Sequence, residues 1–461
     1  MALDVDHSSF SDNTISSVDS HTEVDGGLAI YNLGDFTANI RDSSFLGNSE
    51  NFDNASYTST AGGLAASNFR NMTIQISNSN FSDNTVSLGS SNTVSAVGGL
   101  AVYNAGAMTL DISDSHFLNN TVAANNQNTM TTAGGLAVSN YNNLAIEISD
   151  SNFSGNIVNA NNLNHVRAAG GLAAYNDNTS TMTMHVSDSN FSDNTTTITG
   201  NTDYIDAAGG LAASNMGDMT MNITHSDFLS NSANLMTSSS YLYTAGGLAV
   251  SNYDNLTMQI AKSNFFDNII NLAPNSFIYT AGGLAVTNVG NGVINISASQ
   301  FYNNTVNSSG TVAMEAAGGF ATMNKDNLTV DISNSYFSNN SVNASAQSVI
   351  NAEGGIATDN ESGTENMDIS GSVIANNSSG IDLSQSGAGT SLVTVDHSIV
   401  TNNAIALQAT GGGSITVTNP IFFNGTVSFD DASNITFQGL SPQPSNGSQV
   451  VCLFGTCWVQ S

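Results

Sequence analysis

Three carboxylates, Asp114, Asp150 and Asp188, each stand three residues before a phenylalanine on successive repeats of this chain, and His225 follows in the same place. Stacked side by side, such carboxylates repel one another unless a cation or solvent lies between them. Oxygen ligands in that pattern point to Ca²⁺, which takes several at about 2.3–2.6 Å. The plainer expectation is three side chains splayed into water. The second candidate is aromatic. Tyr204, Tyr241 and Phe277 lie five residues before a double glycine, and Tyr243 and Tyr279 lie three residues before one. Such a cluster could stack on sugar rings or receive a protein partner. Equally, it could brace long loops against each other, as cross-strand aromatic pairs do.

The elements that position these residues are read from the repeat itself. The double glycine begins at Gly26, Gly62, Gly98, Gly134, Gly170, Gly209, Gly246, Gly282, Gly318 and Gly354, and an F-x-x-N motif keeps the same register from Phe10 to Phe337. A period of this size marks a repeat architecture. In the unit that starts at Gly134, Leu136 and Val138 alternate with small residues up to Asn140. Leu144, Ile146 and Ile148 then alternate with Ala145, Glu147 and Ser149, and Phe153 opens a third short strand. Period-two alternation predicts strands with one buried face, and Asn, Ser, Thr and Gly disfavour helix. A polar excursion, Asn159 to Arg167, returns the chain to the next double glycine. The expected fold is all-β: a single-chain, right-handed parallel β-helix of about thirteen coils, a rod roughly 60 Å long at ~4.8 Å per coil.

Stacking turns each motif position into a ladder. Asn32, Asn68, Asn104, Asn140, Asn176, Asn215, Asn252, Asn288, Asn324 and Asn360 close the first strand. They are expected to bond their own turns and the Asn of the next coil, in the left-handed geometry that Asn tolerates. The phenylalanines, among them Phe81, Phe117, Phe153 and Phe191, are expected to stack in the core. A Thr column on the second strand, including Thr73 and Thr109, raises an ice-binding face as a minor reading, although the neighbouring column is mixed. Residues 1–360 form about ten long coils. Residues 361–440 continue as short coils of 22–26 residues, and residues 441–461 form a tail over the last one.

The formal net charge is −31, with five basic residues: Arg41, Arg70, Arg167, Lys262 and Lys325. Nucleic acid is excluded as a partner, because phosphate binding is driven by Lys and Arg. Anionic membranes are disfavoured likewise, and no apolar run is long enough for a membrane helix. No signal peptide is evident, and the chain starts in mid-repeat, so a fragment of a longer product is expected. Cys452 and Cys457 fit either a short-loop disulfide or two thiols.

The pairing of a double-glycine strand with F-x-x-N, here as GGLA, GGFA and GGIA with FSDN, FLNN, FSGN, FFDN and FYNN, resembles the repeats of chlamydial polymorphic outer-membrane proteins. The resemblance covers about residues 8 to 360. It implies a passenger domain of an autotransporter on the cell surface or outer membrane. This chain departs from that plan in lacking barrel strands and a cysteine-rich passenger. The short coils resemble the generic β-helix of pectate lyases and many adhesins. The expected function is therefore a secreted or surface-displayed adhesive rod, binding protein or carbohydrate on a host or neighbouring cell through its excursions. The alternative is a carbohydrate-active, pectin-lyase-like enzyme. Hydrolysis needs two facing carboxylates about 5 or about 6.5–9.5 Å apart. The basic residues come from different units and columns, and no column supplies an Asp pair with His, Arg or Lys. A substrate-length cleft with convergent acidic and basic groups is expected to be absent. No cofactor is expected apart from the Ca²⁺ considered above.

Overall fold

The computed structural model describes residues 1–17, 24–52, 57–89, 91–202, 204–238, 241–273, 277–308, 313–344, 349–384, 390–440 and 443–460. One coil shows the path of all. Leu136–Asn140, Leu144–Ser149, Asn152–Ser154 and Ile157–Ala169 are strands. Each pairs in parallel with its counterpart one repeat on: Asn140 with Asn176, Ile148 with Val186, Phe153 with Phe191 and Val158 with Thr196. The chain is a right-handed parallel β-helix, as the crossover rule for parallel strands demands. The sheet that contains Leu144–Ser149 has fourteen strands, from Ala2–Asp6 to Asn434–Phe437, against the thirteen or so coils expected. The difference lies in the partial coils at the two ends.

Inside each coil the alternating residues meet in one continuous core, which includes Leu136, Val138, Leu144, Ile146, Ile148 and Phe153. The phenylalanines from Phe10 to Phe337 stack with ring centroids 4.6–5.0 Å apart and planes within 1–4° of parallel. Isolated rings prefer offset or edge-to-face contact. Here the strand spacing dictates the separation, so the rings stack face to face. Beside them runs the Asn of F-x-x-N. From Asn13 to Asn403, each amide nitrogen donates to the next Asn Oδ1 at 2.8–3.1 Å.

The first-strand asparagines form their own ladder, with Nδ2 donating to the next Oδ1 at 2.7–3.3 Å from Asn32 through to Asn324. The left-handed geometry expected of them is not found there. Positive φ belongs to two other columns. One is three residues before the phenylalanine, as at Asp42, Asn78, Asp114, Asp150 and Asp188. The other is the third residue of F-x-x-N, as at Asp83, Asn119 and Asp193. The ladder Asn completes a strand and so keeps extended backbone; the sharp corners follow it. The double glycines have a different reason. A Cβ on Gly170 would lie 2.5 Å from both Gly209 O and Thr195 N, so adjacent backbones leave no room for a side chain.

The described parts of the excursions are not loops. They are strands of an eighteen-stranded parallel sheet, and Asn159 to Arg167 lies within the thirteen-residue strand Ile157–Ala169. Val158 and Ala160 on the way out meet Val166 and Ala168 on the way back. With Val122, Ile198 and Ile205 they build a second core. A third apolar cluster is nearly all alanine. Ala133, Ala169, Ala208, Ala245 and Ala281, before the glycines, pack on Ala137, Ala173, Ala212, Ala249 and Ala285 after them. The excursion sheet thus folds back over the outer face of the double-glycine strands.

At the C-terminal end, Gln449–Leu453 pairs antiparallel with Phe422–Phe429 and with Thr456–Gln460. Cys452 and Cys457, which the sequence left as disulfide or thiols, are disulfide-bonded. Among the described residues there is no helix.

Candidate functional site

Where the returning excursion strand lies over the double-glycine strand, the alanine contact forms the floor of a groove parallel to the rod. One wall carries Thr131, Arg167, Asp206 and Tyr243, and the other carries Tyr175, Ser214, Ser251 and Thr287. Strand alternation produces this arrangement. Ala169, one residue before the double glycine, and Ala173, two residues after it, pack into the floor, and Arg167 and Tyr175, two further out on each side, rise as walls. A second hollow continues the groove past Tyr279, Thr287 and Met323 to Asp359, Asp382 and Ser384.

Arg167 and Asp206 occupy paired positions on adjacent coils. Arg167 Nε stands 3.9 Å from Asp206 Oδ2, with side chains 19% and 6% exposed. The guanidinium carbon sits 3.7 Å from the centre of the Tyr175 ring, a cation–π contact in a largely desolvated place. Arg167 Nε makes no hydrogen bond. On the other side, Tyr204 Oη donates to the Asp206 carboxylate at 3.1–3.2 Å and lies 2.8 Å from Tyr253 Oη, so the phenols bridge the groove rim. Burial pushes the Asp206 carboxyl up to about 6, against the pull of Arg167, Tyr204 and the Ser214 hydroxyl. Burial also raises the Tyr175 and Tyr204 phenols above their ordinary range. At neutral pH the arrangement is a guanidinium between a carboxylate and protonated phenols. It offers hydrogen-bond donors and aromatic surface to a polar, uncharged ligand.

The sequence expectation concerned a substrate-length cleft; what the structure brings together here is one acidic and one basic group, Asp206 and Arg167. Arg167 shares its column with Asp206, Tyr243 and Tyr279, three residues before the glycines. The longer step between Gly170 and Gly209 is absorbed outside that register. That shared offset was one available signal. Tyr175 shares its column with Tyr31 and Tyr103, and Tyr253 shares its column with Phe69 and Tyr141, so recurring aromatics at these two offsets were a further signal that the sequence reading missed.

Of the expected aromatic cluster, Tyr204, Tyr243 and Tyr279 come together. Their ring centroids are 5.8 Å apart in each pair, tilted for the first and stacked for the second. The backbones of Tyr241 and Phe277 continue the same strands; their side chains lie outside the described residues.

Asp114, Asp150 and Asp188 are exposed corner residues with φ of 47–49°. Among the described residues, the acidic and histidine side chains that gather three ligand atoms within 4.8 Å of one another are Asp6, His7 and Asp42, at the exposed first coils. The left-handed corner explains why Asp, Asn and Gly recur in the column, since short polar side chains tolerate positive φ. Replacing Asp150 by Asn should leave the melting temperature within a degree, with or without millimolar Ca²⁺. Replacing it by Val should cost about 1–2 kcal/mol through the strained corner. A calcium-dependent loss in the Asn variant would instead mark a ligand.

No family model matches this chain, and neither does any curated protein or solved structure.

Proposed function

We propose that this chain is a non-enzymatic adhesive rod, displayed on or released from a cell surface, which engages its ligand along the grooved edge. The observation that carries the reading is where the repeat stops repeating. Ladder positions hold the same residue coil after coil, as they must to keep identical strands stacked. The column three residues before the glycines instead runs Thr131, Arg167, Asp206, Tyr243, Tyr279. Variable side chains lining a groove on a rigid scaffold are how binding surfaces are built. The motif pair shared with chlamydial polymorphic outer-membrane repeats accords with surface display. The lining around Arg167 holds one carboxylate, Asp206, so a hydrolase on this edge would need its carboxylate pair from the far hollow, where Asp359 and Asp382 stand.

The test is attachment. Beads coated with the chain should bind cells saturably, and Arg167→Ala should weaken attachment several-fold, as loss of a central buried Arg does. Release of reducing ends or unsaturated products from a polysaccharide panel would overturn the adhesive reading in favour of an enzyme.

A further inference from the structure

The same edge carries, toward its N-terminal end, a row of aromatic side chains that the fold does not require. Tyr31, Phe69 and Tyr141 are 56%, 44% and 40% exposed, with Tyr103 half-buried between the last two. Tyr31 and Tyr103 stand five residues past the first glycine of their coils. Phe69 and Tyr141, on the alternate coils, stand seven residues past. Other coils place Ser67, Ser139, Ser214 or Ala105 in these columns, so neither position needs a ring for folding. Successive centroids are 5.8, 6.2 and 5.7 Å apart, with planes at 62–65°. The two-residue stagger allows this. Directly stacked rings would be held at the strand spacing, as in the core. Staggered rings reach the edge-to-face geometry that aromatics prefer. The result is a fixed ridge, one ring wide and about 15 Å long at ~4.8 Å per coil. At its far end Tyr175 lies beneath Arg167, so the ridge runs into the groove.

We propose that this ridge binds an extended, uncharged glycan chain. Exposed apolar rows of this kind mark interaction sites. Width selects the occupant. A stable protein partner needs about 800 Å² on each side, which a single file of rings does not supply. An extended glycan is itself one ring wide. Its pyranose faces present C–H groups to aromatic rings, and its hydroxyls meet the tyrosine phenols. Charge selects the uncharged class. The chain carries −31, Arg70 is the only basic residue in sequence beside the ridge, and Arg167 is engaged by Asp206 and Tyr175. A sulfated or uronate polymer would be repelled.

This inference rests on the adhesive reading, and one set of measurements separates the two. The full chain is titrated with soluble neutral glucans, xylans and galactomannans, with sulfated and uronate polymers alongside, and its attachment to cells is measured in parallel. At least one neutral glycan should bind with little salt dependence. The double variant Phe69→Ala, Tyr103→Ala should weaken binding about ten-fold or more, with an unchanged circular dichroism spectrum. Thr109→Ala, on another face, should bind as the parent does. Attachment to cells with no neutral glycan bound, or with equal glycan binding by the double variant, would overturn the ridge assignment and leave the adhesive reading standing. Salt-sensitive binding of anionic polymers alone would overturn the uncharged class. A parent chain that neither attaches to cells nor binds any of these polymers would remove the adhesive reading as well.

Discussion

Asn156→Ala is expected to cost on the order of 3–6 kcal/mol and to split the rod's unfolding at that coil. Asn156 is fully buried. Its Oδ1 accepts from the Asn120 amide N–H at 3.1 Å and from Asn120 Nδ2 at 3.0 Å. Its Nδ2 donates to Phe117 O at 2.7 Å and to Asn194 Oδ1 at 3.0 Å. Alanine removes one partner from each of these groups and leaves them in an apolar interior, where each unmet group costs about 1–3 kcal/mol. In a stacked array the damage is felt by the neighbouring coils first. Hydrogen exchange should therefore accelerate on the coils of Asn120 and Asn194 before it does so at the ends. A variant that melts as one transition within a degree of the parent would show that the ladder is decoration.

Glu365→Leu is expected to stabilise the protein by about 3 kcal/mol at pH 8 and by much less at pH 4. Glu365 pairs with Leu328 in a core column and is fully buried. The Ser391 and Thr358 hydroxyls lie beside its carboxyl without good hydrogen-bond geometry, and Asp359 adds a like charge. Burial dominates and raises the group from its ordinary 4.5 to about 7. The folded protein therefore holds this proton after the unfolded chain has released it. The cost is absent below about pH 4.5, grows between there and about 7, and is complete above. A shift of that size corresponds to about 3 kcal/mol. Leucine removes the titration and restores the column. Urea unfolding of parent and variant at both pH values measures the difference. An equal difference at pH 4 and pH 8 would mean that Glu365 does not titrate between them.

Much of the architecture was legible because stacking multiplies a weak local signal. One alternating run such as Leu144, Ile146, Ile148 is ambiguous alone; ten copies in register are not. The phenylalanine and asparagine columns followed from the same arithmetic, since each is buried between two copies of itself. The excursions were harder to read. Asn159 to Arg167 is polar, and Val158, Ala160, Val166 and Ala168 do not stand out until the outgoing and returning strands face each other. Glu365 reads as an ordinary acid until its register with Leu328 places it inside.

The sequence by itself determined the coil, its period and the residues that stack, because those depend on spacing along the chain and on burial of identical neighbours. Only the tertiary structure decided where the left-handed corners fall. It decided also that the excursion sheet folds over the double-glycine strands, and that Arg167, Asp206, Tyr175 and Tyr204 meet in the groove this makes. Arg167 and Asp206 share a column, but the contacts to Tyr175 and Tyr253 cross from the excursion sheet to the double-glycine sheet. Their separation depends on how the sheets lie against one another, which no repeat spacing encodes.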